Sequence, residues 1–199
     1  MSKRSLIIIA LVAILGLAAG LALFWRAEAP VGGAQGQANV GGPFELVDQD
    51  GRAVDQSILE GRWSVVFFGF TYCPDICPST LQSVAAAQDQ LGPRGADLQT
   101  VFISVDPERD TPEQLKTYLS LDAFPDGVIG LTGTPAQIEQ VAKSYYVYYR
   151  KSGEGPDYTI DHSTAAYLMD PQGRFNRVLA YGMSPDEMAR LIRTAMQEG

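Results

Sequence analysis

The segment Cys73-Pro74-Asp75-Ile76-Cys77-Pro78 constrains this chain most, because it sets two prolines and two thiols directly after an apolar run at 63–68. Such a run, rich in Val and Phe, reads as a strand buried on both faces. A helix begun at Pro74 would meet Pro78 four residues later, where the missing N–H and the ring clash would break it. Pro78 is therefore the expected first helical residue, with a helix over about 79–91 whose apolar face holds Leu81, Val84, Ala85 and Leu91. Cys77 then stands just ahead of the helix and outside the α region, with Cys73 one turn of chain earlier. A helix N-terminus facing both sulfurs favours thiolate over thiol.

A plain stabilising disulfide is the simplest use for the pair. Closing so short a loop yields only about 2 kcal/mol on the chain-entropy model, a poor reason for so constrained a loop. A reactive or metal-binding pair is the better reading. The chain has one histidine, His162, in Asp161-His162-Ser163, just ahead of an apolar strand at 165–169. A lone His is commonly a packed or solvated residue. Ligands of α/β sheets gather at the carboxyl ends of strands, however, and both cysteines sit at such an end. The loop carrying His162 is expected to fold back over them.

Two thiolates and one imidazole suit copper, the sulfurs favouring Cu(I) and the imidazole adding affinity for Cu(II). Zinc is the runner-up and would need a carboxylate such as Asp75 as a fourth protein ligand. Asp106 and Asp110 lie in a strand-to-helix junction where both can serve as turn residues. The alternative places them behind the site as acceptors that tune it. Asp161 should point away from the site, since neighbours on an extended chain face opposite sides. Tyr145, Tyr146, Tyr148 and Tyr149 are assigned to core packing.

Three later helices share a start signal, at Thr111-Pro112-Glu113-Gln114, Thr134-Pro135-Ala136-Gln137 and Ser184-Pro185-Asp186-Glu187. Each joins a capping box to a proline at the first helical position, and apolar residues follow at helical spacing. Strands are expected at 98–105, 128–131, 165–169 and 174–180, the last two joined by the turn Asp170-Pro171-Gln172-Gly173. Phe44 to Val47 and Ala53 to Val54 flank an Asp50-Gly51 turn, the mark of a short hairpin. The order is hairpin, strand, helix, strand, helix, strand, helix, hairpin, helix, which makes a mixed α/β sheet with helices on both faces.

Residues 6–25 are uncharged and as a helix would span ~30 Å, enough to cross a bilayer. Ala27, Glu28 and Ala29 imitate a signal-peptidase site, but the apolar run is longer than a cleavable signal needs and Pro30 follows directly. The run is read as an uncleaved anchor. Lys3 and Arg4 place residues 1–5 in the cytoplasm and the rest outside, where thiols can oxidise. Residues 26–40, rich in Gly, Ala and Gln, form a flexible tether, and 41–199 form the domain. A formal net charge of −8 and the absence of a basic stripe argue against a nucleic-acid partner.

Cys-Pro-x-x-Cys-Pro at 73–78, Ser-Val-Asp-Pro-Glu-Arg-Asp-Thr at 104–111, Gly-Leu-Thr-Gly at 130–133 and Asp-His-Ser at 161–163 together resemble the Sco/SenC family. The resemblance covers 41 to the C-terminus, and the anchor fits it. It implies a thioredoxin-like fold with an N-terminal hairpin extension behind a single transmembrane helix. It also implies copper binding by Cys73, Cys77 and His162. The partner so implied is the copper-binding subunit of cytochrome c oxidase, approached from the periplasmic face of the inner membrane. Other periplasmic copper chaperones or thiol reductases would be further partners. The rival is a thiol–disulfide reductase acting on the recipient cysteines through a Cys73–Cys77 disulfide. Against enzymatic turnover, the pair has one more intervening residue than thioredoxin's C-x-x-C. Phe70 also stands where peroxiredoxins place Thr.

Overall fold

In a computed structural model of the chain, residues 40–198 are described. The anchor at 6–25 and nearly all of the tether at 26–40 lie outside them. Among the described residues no helix is long and apolar enough to cross a membrane.

The chain starts with the expected hairpin, β1 (Glu45–Asp48) and β2 (Ala53–Asp55), closed by Gly51 at φ 79°. A short 3-10 turn leads to β3 (Trp63–Gly69), every residue of which is buried. Helix α1 (Ile76–Gln90), strand β4 (Leu98–Ser104), helix α2 (Pro112–Leu119) and strand β5 (Ile129–Thr132) follow. Helix α3 (Pro135–Ser144) precedes a ribbon of β6 (Tyr149–Ser152) and β7 (Thr159–His162). Strands β8 (Ala166–Met169) and β9 (Phe175–Leu179) and helix α4 (Pro185–Glu198) complete the fold.

The main sheet runs β2-β1-β5-β4-β3-β8-β9, with β3, β4 and β5 parallel and the outer pairings antiparallel. Because β3 steps to β4 and β4 to β5 in the same direction, right-handed crossovers put α1 and α2 on one face. Helix α4 packs against α1. On that face Phe67 of β3 sits beside its register partner Phe102 of β4. On the other face Phe68 meets Tyr145, the residue that ends α3, with ring centroids 5.2 Å apart. Both faces of the parallel strands are thus covered, as a continuous apolar run requires.

Four expectations change. Helix α1 begins at Ile76, so Cys77 is inside its first turn and Pro78 is its third residue. The first four N–H groups of a helix have no partner within it, so a proline that early forfeits no hydrogen bond. His162 is not in a loop but ends β7, in a two-stranded sheet of its own. The ribbon escapes the helix and buried-strand patterns because only alternate residues are covered, Tyr158 and Ile160 against exposed Thr159 and Asp161. Of the tyrosine group, Tyr145 is core, whereas Tyr146 and Tyr148 are exposed. The full reciprocal capping box forms at Thr134 alone of the three expected, with Gln137 returning to the Thr134 backbone. At Thr111 the cap forms, but the Gln114 side chain donates to Thr71 Oγ1 at 3.1 Å instead.

Candidate metal centre

The Cys loop leaves the end of β3 and turns into α1. Thr71 anchors it: its N–H donates to Asp110 Oδ2 at 3.0 Å and its hydroxyl to Oδ1 at 2.7 Å. The Ser104 hydroxyl donates to the same carboxylate at 2.6 Å. Asp110 is fully buried, and burial raises its pKa against the pull of those donors from Ser104 and Thr71. A buried carboxylate with three donors fixes the strand-end loop to the next crossover. Asp110 is thus more than a turn residue, yet it reaches no sulfur directly.

Cys77 Sγ lies against Gly69, where an added Cβ would come within 2.7 Å of the sulfur and 2.9 Å of the Phe102 ring. The glycine is therefore required by space and not by an unusual φ. Cys73 is at the rim of the same site, and its Sγ accepts the Cys77 N–H at 3.4 Å. No disulfide joins the two. The Cys77 S–H donates to Cys73, which draws the Cys73 pKa well below the ordinary thiol value. Burial opposes this, while His162 and the Cys77 and Asp75 N–H groups support it. The same shared proton and full burial push the Cys77 pKa up. The one shared interaction thus lowers the pKa of the rim sulfur and raises that of the inner one.

His162 completes the group, its Nε2 3.7 Å from Cys77 Sγ. Its Nδ1 is 2.8 Å from the Ser163 carbonyl oxygen, which can only accept. Nδ1 therefore carries a proton, and Nε2 is the ring nitrogen turned toward the sulfurs. The ring stands edge-on to Phe70 and Phe67, with centroids 5.8 and 6.3 Å away. One donor atom from each of Cys73, Cys77 and His162 can be chosen so that all lie within 4.8 Å of one another. These soft and borderline donors fit copper. Asp75, which a zinc site would have required, is exposed and does not join the group.

Asp106 turns away from the donors. It accepts Arg109 Nε–H at 2.6 Å and the Tyr158 hydroxyl at 2.5 Å, so it braces the ribbon. Asp161 is exposed and pairs with Arg150, as its place next to His162 foretold. Sequence reasoning missed Thr71, Ser104, Arg109 and Tyr158. Gly69 could have been found, since a glycine between a buried strand and a reactive loop signals close approach. Nothing local marks the contact of Arg109 with Tyr158, since the two lie 49 residues apart.

A sequence profile described as SCO1/SenC matches residues 32–197. The chain is 48% identical over 157 residues to the mitochondrial SCO1 homolog 1 of Arabidopsis thaliana, covering 78% of this chain and 46% of that protein. It therefore spans about half the length of that relative. A crystal structure of Arabidopsis thaliana ScoI with copper bound superposes with a TM-score of 0.76 at 42% identity, covering 80% of this chain and 99% of that one. BsSco, described as a Sco-family cytochrome c oxidase assembly protein with a disulfide switch, has a TM-score of 0.64 at 30% identity, covering 80% and 92%.

Proposed function

This chain belongs to the SCO1/SenC family, and from that premise we propose that it is a membrane-anchored copper chaperone serving the dinuclear copper site of cytochrome c oxidase. Copper is its cargo, held by Cys73, Cys77 and His162. The observation that carries the reading is the gathering of two sulfurs and an imidazole within 4.8 Å, with His162 Nδ1 tied to Ser163 so that Nε2 is free. The related ScoI was solved with copper bound. Two thiolates suffice for Cu(I), and the imidazole adds what Cu(II) needs. Residues 1–5 lie in the cytoplasm, 6–25 cross the inner membrane and 26–40 let the domain reach its recipient in the periplasm, as Lys3, Arg4 and the uncharged run support. Periplasmic copper chaperones or thiol reductases would load the site or keep it reduced.

A thiol-reductase reading draws on the uneven pair. The Cys73 thiolate would attack a recipient disulfide, and the Cys77 sulfur would then displace the recipient from the mixed disulfide. Two electrons pass to the recipient, which leaves as a thiol–thiolate pair carrying the Cys77 proton and takes a second proton from water to become the dithiol, and a Cys73–Cys77 disulfide remains.

His162→Ala separates the readings, measured by anaerobic titration of the full chain in detergent and by oxidase activity of the strain. The variant should keep Cu(I), lose its Cu(II) spectrum, and still form the disulfide. Its strain should show low oxidase activity that added copper partly restores. Full oxidase assembly with His162→Ala, together with failure of Cys73→Ser, would transfer the function to thiol reduction.

A further inference from the structure

The donor set is assembled from two pieces that share no strand pairing. Cys73 and Cys77 belong to the junction of β3 and α1, whereas His162 ends a ribbon outside the main sheet. The Cys77–His162 distance therefore depends on what holds the ribbon over the loop.

Arg109, in the turn between β4 and α2, touches both pieces. Its guanidinium carbon lies 3.6 Å from the ring centroid of Tyr158 on the ribbon and 4.6 Å from that of Tyr72, which precedes Cys73. Its Nη1 donates to the Tyr158 carbonyl at 2.9 Å and to the Pro156 carbonyl at 3.3 Å, while Nε holds Asp106 at 2.6 Å. The side chain is only 15% exposed. Tyr158, which directly precedes β7, and Ile160 and His162 within it are the covered residues of an alternating run and face the same way. A plane stacked on Tyr158 and bonded to its carbonyl thus fixes the strand that ends in the imidazole.

The Tyr158 hydroxyl also donates to Asp106, the carboxylate that Arg109 itself holds, so this bond belongs to the same cluster; the remaining contacts of the ribbon are less directional. Lys151 lies over Tyr158 but pairs with exposed Glu108, in water and open to salt. Ile160 supplies apolar contact, which opposes lifting more than sliding. A guanidinium between two rings, with donors in a fixed fork, opposes both.

We propose that Arg109 is a positioning residue that clamps the His162 ribbon to the Cys loop, and thereby sets the separation of the imidazole from the two sulfurs. The consequence for copper rests on the chaperone reading; the clamp itself does not. Hydrogen exchange on the reduced, copper-free full chain in detergent tests it. In Arg109→Ala, amides of β6 and β7 should exchange about tenfold faster while those of β3 and β4 stay unchanged. Arg109→Lys should fall between, since it keeps the charge and loses the plane and fork. If Arg109→Ala does not fold, Tyr72→Leu removes one exposed ring of the stack and should speed the ribbon alone. Unchanged ribbon exchange, or equal acceleration in ribbon and central sheet, would overturn the proposal.

Copper binding supplies the readout that a general loss of structure would not reproduce. Arg109→Ala should weaken the His162-dependent Cu(II) complex about tenfold and change Cu(I) affinity less than about twofold; in a His162→Ala background it should have no further effect. Additive losses in the double variant overturn the clamp. A wild-type protein without a His162-dependent Cu(II) complex would overturn the copper reading instead, and the exchange result would still decide the clamp.

Discussion

The two halves of the donor site are held in opposite ways. The Cys half grows out of a fully buried strand, is pinned by a buried carboxylate with three donors, and has one sulfur pressed against Gly69. The His half rides on a two-stranded ribbon whose outer face is exposed, with ion pairs Arg150–Asp161 and Lys151–Glu108 in solvent. An isolated ribbon of that kind is marginal in water and depends on what it packs against. The contrast teaches that the sulfurs are preset by the core, while the imidazole is placed by a few side-chain contacts. That arrangement suits the chaperone role proposed above, in which a metal is held and then released.

The contrast can be broken most forcefully at Asp110. Asp110→Ala leaves the Thr71 N–H and the Thr71 and Ser104 hydroxyls without their acceptor in a buried place, and should lower stability by about 3 kcal/mol in urea denaturation. A loss below about 1 kcal/mol would mean that the Cys half is not anchored from the core. Gly69→Ala comes next, because the new Cβ must displace Cys77 Sγ or the Phe102 ring; about 2 kcal/mol of destabilisation is expected, with an altered copper spectrum. An unaltered spectrum would show that the inner sulfur has room to move.

A smaller effect sharpens the contrast within the Cys half itself. Cys73 has the lowered pKa, so its thiolate persists as pH falls below the usual thiol range, whereas the raised pKa keeps Cys77 protonated. Between about pH 8 and pH 6 iodoacetamide should label Cys73 at least about tenfold faster than Cys77, with the preference growing as pH falls. Equal labelling by peptide mass spectrometry would contradict the shared-proton arrangement. The smallest effect is expected at Arg150→Ala. An ion pair so exposed should leave the urea midpoint and copper binding unchanged, and a clear loss would show that the ribbon depends on its outer face.

Local pattern determined most of the scaffold of this protein. The apolar run at 63–68, the three Thr/Ser-Pro helix starts and the Asp170–Gly173 turn each specify an element through bonds and sterics within a few residues, and the structure carries them to within one residue. The three side chains that the structure gathers within 4.8 Å were legible as well, since Cys73 and Cys77 stand in an unusual setting and His162 is the lone histidine. The tertiary structure alone decided the start of α1 ahead of Pro78, the ribbon that carries His162, and the diversion of Gln114 from its cap to Thr71. It alone brought Arg109 between Tyr72 and Tyr158. The physical reason is range: a cap or turn is set by neighbours along the chain, whereas a guanidinium beside rings 37 residues before it and 49 after it exists only once the fold has brought them together.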